Sequence, residues 1–136
     1  MGIPPEKKRL TIGKQIGLMR YHFPQLKYRG KGNQLKWVGP LRPRDSSPEY
    51  QLHILYTYHL YAPKVFVLDP EIVDNAPHRY ADNSLCLYYP KDGSWSPQMS
   101  LAKTIVPWTI RWLTFYEVWL VTDKWFGPEA PHNPNK

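Results

Sequence analysis

The alternation of hydrophobic and polar positions is clearest in residues 49–61. A period of two predicts a β-strand with one buried face and one exposed face. Residues 34–41 are a second predicted strand, because Leu35, Trp37, Gly39 and Leu41 alternate along it and prolines end it. Residues 64–68 are a third, because they form an apolar, β-branched run that stops before Pro70. Short connections between the three strands predict an antiparallel meander. The apolar face of the longest strand consists of Tyr50, Leu52, Ile54, Tyr56, Tyr58 and Leu60.

The first segment with helical periodicity is residues 10–26, where apolar side chains recur every three or four positions. Polar residues lie between them, among them Lys14, Gln15 and Arg20. This spacing predicts an amphipathic helix near the start of the chain. Pro24 is expected to end it, since proline interrupts the hydrogen bonding of a helix.

A second helix is predicted from a row of aromatic residues at helical spacing. Ser100 or Thr104 is expected to cap its beginning, and the helix is expected to end near Lys124. Pro107 is tolerable there only within the first turn. We interpret the row as core rather than as a platform for stacking nucleic-acid bases. Its members are Trp108, Trp112, Phe115, Tyr116 and Trp119.

Residues 71–99 show no periodicity and carry the only cysteine of the chain, Cys86. A loop of this length inside a compact domain is uncommon and usually functional. The predicted order is therefore helix, three strands, long loop and helix, an α+β fold. At 136 residues, the chain is expected to form one domain over residues 1–136.

Composition narrows the class of protein. Residues 104–121 are apolar but contain Arg111 and Glu117, so no membrane-spanning segment is expected. The first residues lack the pattern of a signal peptide, and a lone cysteine suits a reducing compartment, so the predicted location is cytoplasmic. The five histidines and Cys86 lack the close spacing of a zinc site, so neither a metal nor a cofactor is expected.

The net charge of +7 comes from short basic groups in predicted termini and loops. We interpret most of them as solvated surface, with an acidic protein partner ahead of nucleic acid as the alternative. These groups are Lys7 to Arg9, then Lys27, Arg29 and Lys31, then Arg42 and Arg44.

Three short motifs surround the cysteine: Ala76-Pro77-His78, then Asn83-Ser84-Leu85-Cys86-Leu87, then Trp95-Ser96-Pro97. Together they resemble the active-site signature of ubiquitin-conjugating enzymes. That family has a His-Pro-Asn tripeptide, a cysteine followed by leucine, and Trp-Ser-Pro about eight residues later.

A longer set of motifs extends from the cysteine to the last helix: His78-Arg79-Tyr80, Leu85-Cys86-Leu87-Tyr88, Trp95, Pro107-Trp108, Trp112-Leu113, Tyr116-Glu117-Val118-Trp119 and Pro131-His132. In these the chain is more closely similar to the prokaryotic branch of that family that accompanies cGAS/DncV-like nucleotidyltransferases in CBASS anti-phage operons. This resemblance implies a ubiquitin-conjugating-enzyme-like fold, with an antiparallel meander of three to four strands between the two helices, and the nucleotidyltransferase as protein partner. It also implies that Cys86 acts as an acyl transferase, forming a thioester with the partner's C-terminus and passing it to an amine.

The sequence departs from His-Pro-Asn, because His78 stands where the family's asparagine is and Ala76 where its histidine is. The oxyanion role of that asparagine is therefore assigned to either His78 or Asn83. The alternatives are a structural histidine and a left-handed turn residue. Tyr80 and Tyr88 are interpreted as packing around the loop.

Two other functions remain open at this point. Cys86 lies between two leucines and is alternatively a small buried hydrophobe, in which case the chain is a non-catalytic module that binds and stabilises the nucleotidyltransferase. The other is a hydrolase in which Cys86 and His78 form a nucleophile and base pair.

Overall fold

The computed structural model describes residues 9–58, 62–88 and 95–128. Their architecture is α+β, as predicted: a helix, a four-stranded antiparallel sheet and a C-terminal helix. The sheet order follows the chain, β1-β2-β3-β4, which is the predicted meander with one additional strand. The elements are α1 (Ile12–His22), β1 (Lys27–Tyr28), β2 (Gln34–Leu41), β3 (Tyr50–Thr57), β4 (Lys64–Asp69) and α2 (Ile105–Thr122).

Strand β3 is central to the sheet and alternates between buried and partly buried residues along its whole length, which confirms the period of two. It pairs with β2 through contacts such as Trp37 opposite Ile54, and with β4 through Ile54 opposite Val65. These three side chains are almost fully buried. One hydrophobic core joins this face of the sheet to buried residues of both helices.

The position of strand β1 was not predicted, because two residues are too few to show a period, although the family resemblance allowed a fourth strand. It pairs Lys27 with Val38 and Tyr28 with Trp37. Its position therefore depends on pairing with β2 and on the ring of Tyr28 against that of Trp37, with centroids 5.2 Å apart.

Helix α1 is shorter than predicted. The hydroxyl of Thr11 accepts a hydrogen bond from the Lys14 N–H and caps its start, and the helix stops before Phe23, since a residue preceding proline disfavours helical angles. Gln15, expected among the polar positions, is fully buried. Its side-chain amide donates to the Met99 carbonyl and accepts from the Leu101 N–H. Both polar atoms of this buried amide therefore have protein hydrogen-bond partners in place of water.

Helix α2 begins after Thr104 and ends at Thr122, with Asp123 as its C-cap, close to the predicted limits, and Pro107 lies in its first turn. The Thr104 side chain makes no capping hydrogen bond. Its hydroxyl instead donates to the Ser100 carbonyl and accepts from the Trp95 indole N–H. Neither helix of the described part of the chain combines the length and the apolarity that a membrane span requires.

Candidate active site

Residues 78–86 form a narrow antiparallel hairpin within the segment that the sequence showed only as an aperiodic loop. Arg79 and Leu85 form a β-bridge, and the Cys86 N–H donates to the His78 carbonyl over 2.9 Å. Such short pairing is invisible to periodicity, because each arm has only a few residues. Cys86 therefore lies at the end of one arm, directly opposite His78.

The turn of the hairpin is fixed by local polar contacts. Asn83 has a φ of 74°, and its N–H donates to the Tyr80 carbonyl over 2.9 Å. The Asp82 carboxylate accepts from both the N–H and the hydroxyl of Ser84, and it forms an ion pair with Lys64 of β4. Partial burial favours a higher pKa for Asp82, but these hydrogen bonds outweigh it and lower the pKa to about 2.

Two hydrogen bonds that involve backbone atoms of the hairpin hold it against the sheet and against α2. On the sheet side, the Leu85 N–H donates to the Val65 carbonyl over 2.9 Å, and the Leu85 side chain is buried. On the helix side, the Trp112 indole N–H donates to the His78 carbonyl over 3.0 Å. That carbonyl thus accepts hydrogen bonds from both Trp112 and Cys86, which links α2 directly to the cysteine.

The Cys86 side chain is only partly buried, unlike the small buried hydrophobe that its leucine neighbours suggested. Its Sγ lies 3.4 Å from the Tyr80 phenol oxygen and 3.8 Å from the Tyr88 carbonyl oxygen. The Tyr80 hydroxyl donates to that same carbonyl over 3.1 Å. Tyr80 therefore contacts the Cys86 sulfur, a contact that the packing interpretation missed. Its place in the His-x-Tyr element was the available signal.

Burial raises the pKa of the Cys86 thiol, while its hydrogen bond with Tyr80 works in the opposite direction. Burial and then the hydrogen bond with Cys86 raise the pKa of Tyr80. Near neutral pH the site therefore holds a protonated thiol beside a protonated phenol, and the thiolate must form before nucleophilic attack.

The structure brings the backbone of His78 beside Cys86 and places Asn83 at the tip of the hairpin. His78 has a φ of 60°, and the centre of its ring lies 4.8 Å from that of Trp125. Asn83 is exposed and left-handed, as the turn interpretation expected. The oxyanion role of either side chain stays a prediction. His132 lies outside the described residues.

Comparison with protein-family models shows to which family this chain belongs. The model of the family described as Type II CBASS E2 protein matches residues 15–133, which is most of the chain. The chain belongs to this family of E2 proteins. No curated protein sequence matches it. The match confirms the predicted link to CBASS systems and to ubiquitin-conjugating-enzyme-like proteins.

A groove of about 740 Å³ runs beside the hairpin of this E2 protein. Its walls combine the hairpin with the edge of the sheet, and they include Tyr88 and Tyr80, whose phenol contacts the Cys86 sulfur. Other lining residues are Leu55, Pro63, Lys64 and Asp82. Within the described residues, no group of three or more His, Cys, Asp or Glu side chains is arranged to hold a metal ion.

The left-handed backbone at Asn83 predicts a clear ranking of variants. Asn83→Gly is expected to keep the free energy of unfolding within about 0.5 kcal/mol of wild type, because glycine adopts positive φ freely. Asn83→Val is expected to lose about 1–2 kcal/mol, because a β-branched side chain is strained there. Urea unfolding measures both. Equal stabilities for the two variants would contradict the assigned turn conformation.

Proposed function

We propose that Cys86 of this CBASS E2 protein accepts the C-terminal carboxyl group of a cGAS/DncV-like nucleotidyltransferase as a thioester. The acyl group then passes to a lysine or another amine, and this conjugation primes cyclic-oligonucleotide synthesis. The observation that carries the proposal is the placement of Cys86. The one cysteine of the chain is partly exposed on a hairpin fastened to the sheet and to α2.

The chemistry needs two acyl transfers at the same sulfur. In the first, the Cys86 thiolate attacks the carbonyl carbon of an activated donor, either an acyl adenylate or an acyl thioester. A C–S bond forms, the bond to the leaving group breaks, and the leaving group keeps the electron pair. In the second, an amine attacks that carbon, a C–N bond forms, the C–S bond breaks, and the amine releases a proton to water.

Negative charge develops on the carbonyl oxygen in both transfers, so a donor near the sulfur lowers the barrier. His78 and Asn83 are proposed for this role from the family resemblance. The two residues differ in their position relative to Cys86. His78 is the direct hairpin partner of Cys86 through its carbonyl, whereas Asn83 is at the exposed tip of the turn.

The expected result of the proposal is a covalent complex that depends on Cys86. The E2 protein is co-expressed with the nucleotidyltransferase encoded beside it, as wild type and as Cys86→Ala, and intact masses are measured with and without reductant. Wild type is expected to gain the mass of the partner minus one water, in a form that excess thiol removes. Cys86→Ala is expected to show no such species, because no other thiol is available.

A second function, the non-catalytic binding module, is favoured by one observation: burial raises the pKa of the Cys86 thiol, which disfavours the nucleophilic thiolate. This function predicts that both forms bind the nucleotidyltransferase equally, without a covalent species. A non-covalent complex of unchanged affinity, and no adduct in wild type under any condition, would overturn the thioester proposal.

A further inference from the structure

The position of Tyr80 follows from the register of the hairpin. His78 lies opposite Cys86, whose N–H donates to the His78 carbonyl, and the Tyr80 N–H donates to the Ser84 carbonyl. Alternate residues of an arm share a face, so Tyr80 and Cys86 are diagonal neighbours on the same face. An aromatic side chain spans such a diagonal, and here the phenol oxygen reaches to 3.4 Å from Sγ.

We propose that Tyr80 is a catalytic residue, whose phenol donates a hydrogen bond to the Cys86 thiolate and then, in addition to the donor from His78 or Asn83, to the oxyanion of the tetrahedral intermediate. This inference rests on the proposed function. Its first half, stabilisation of the thiolate, can be tested without any acyl donor.

The hydrogen bonds around the phenol suit a donor that changes its acceptor. With the thiol protonated, Sγ–H donates to the Tyr80 oxygen, and the phenol O–H donates to the Tyr88 carbonyl. Loss of the thiol proton turns the sulfur into a charged acceptor, and hydrogen bonds to charged groups are the stronger ones. The phenol O–H is then expected to rotate from the Tyr88 carbonyl to the sulfur.

Two properties of Tyr80 fit this role. Burial first, and the hydrogen bond with Cys86 second, raise the pKa of its phenol, so this donor keeps its proton to a higher pH than an ordinary tyrosine. The phenol is also close enough to serve the next step. The phenol oxygen lies 3.4 Å from Sγ, and the oxygen of an acyl group on Sγ is two bonds from the sulfur. Rotation about the Cβ–Sγ bond can therefore bring that oxygen within hydrogen-bonding distance of the phenol.

Tyr88 provides a matched control on the same hairpin arm as Cys86. It is partly buried like Tyr80, but its hydroxyl donates to the Pro63 carbonyl over 3.0 Å and its ring lies against Trp108. Only its backbone carbonyl approaches the sulfur. Tyr88→Phe therefore removes a similar hydroxyl group while leaving the hydrogen bond between Tyr80 and Cys86 in place.

The test is the pH dependence of Cys86 alkylation by iodoacetamide, followed by intact mass in wild type, Tyr80→Phe and Tyr88→Phe. Because Cys86 is the only cysteine, every alkylated molecule reports on it. Tyr80→Phe is expected to move the midpoint to higher pH and to slow alkylation about three- to tenfold below the midpoint. Tyr88→Phe is expected to keep the wild-type midpoint. Coinciding profiles for Tyr80→Phe and wild type would overturn the proposal.

A second variant keeps the test decisive if Tyr80→Phe folds poorly. Incorporating 3-fluorotyrosine at position 80 keeps the ring and hydroxyl but makes the phenol a stronger donor, so the alkylation midpoint is expected to fall. An unchanged or higher midpoint contradicts the proposal. A failure of the proposed function looks different, since wild type then forms no adduct with the nucleotidyltransferase whatever the alkylation profiles show.

Discussion

Replacing Trp112 with alanine is expected to lower the free energy of unfolding by about 3–5 kcal/mol. The residue is 4% exposed. Its ring stacks on that of Tyr116, with ring centroids 5.4 Å apart, and the centroid of the Trp125 ring lies 5.3 Å away. Removing this side chain leaves a cavity beside the middle of α2. Urea unfolding measures the loss, and the melting temperature is expected to fall by on the order of 10–20 °C.

The control for this change is Trp112→Phe, which keeps most of the ring and removes the indole N–H. It is expected to cost about 1–2 kcal/mol, because the His78 carbonyl loses one of its two donors but keeps the Cys86 N–H. Hydrogen exchange at the Cys86 amide is expected to be faster in this variant, since the His78 carbonyl loses its hydrogen bond from α2. An alanine variant within 1 kcal/mol of wild type contradicts the assigned packing.

Replacing Glu117 with alanine is expected to cost about 1–3 kcal/mol at neutral pH. The Glu117 carboxylate, with a side chain only 12% exposed, accepts hydrogen bonds from Arg44, Ser47 and Tyr50. Ser47 and Tyr50 are both buried, so their hydroxyl groups lose their acceptor inside the protein. Arg44 is about half exposed and returns to water at little cost.

The same carboxylate predicts a pH dependence of stability. Partial burial alone favours a higher pKa, but hydrogen bonds from Arg44, Tyr50 and Ser47 outweigh it and hold the pKa of Glu117 below its ordinary value of 4.5. A lowered pKa contributes stability that is complete above the unfolded value and is lost as pH falls through the folded value. The free energy of unfolding is therefore expected to fall below about pH 5, and to fall less in Glu117→Gln.

Urea unfolding at neutral pH and in acid separates these contributions. Glu117→Gln is the matched variant, because its amide oxygen can still accept from Tyr50 while its charge is gone. Its stability is expected to lie between those of wild type and Glu117→Ala at neutral pH. Identical acid sensitivity of wild type and Glu117→Gln contradicts a role for the ionised carboxylate.

The predicted elements with long, regular patterns are confirmed. Eight alternating residues in β3 and the aromatic row of α2 are long enough for their periods to be unambiguous. The α+β order follows from them, and the motifs around Cys86 were sufficient to indicate the family. These features depend on local spacing, which a sequence displays directly.

Features that depend on long-range partners were missed or wrong. Gln15 has the polarity of a surface residue, yet it is buried because Met99 and Leu101, more than eighty residues later, satisfy its amide. Strand β1 exists only because β2 is beside it. In both cases the local sequence pattern does not include the distant residues that determine burial or strand pairing.

The features of the candidate site also fall into those that the sequence indicates and those that the fold determines. Composition and motif singled out Cys86 as the reactive residue to test, whereas the hairpin register brought the Tyr80 phenol to its sulfur and α2 to the His78 carbonyl. Residue type and spacing specify what chemistry a side chain can perform. Only the folded chain decides which donors surround it, because hydrogen bonds act over about 3 Å between atoms that can be far apart in sequence.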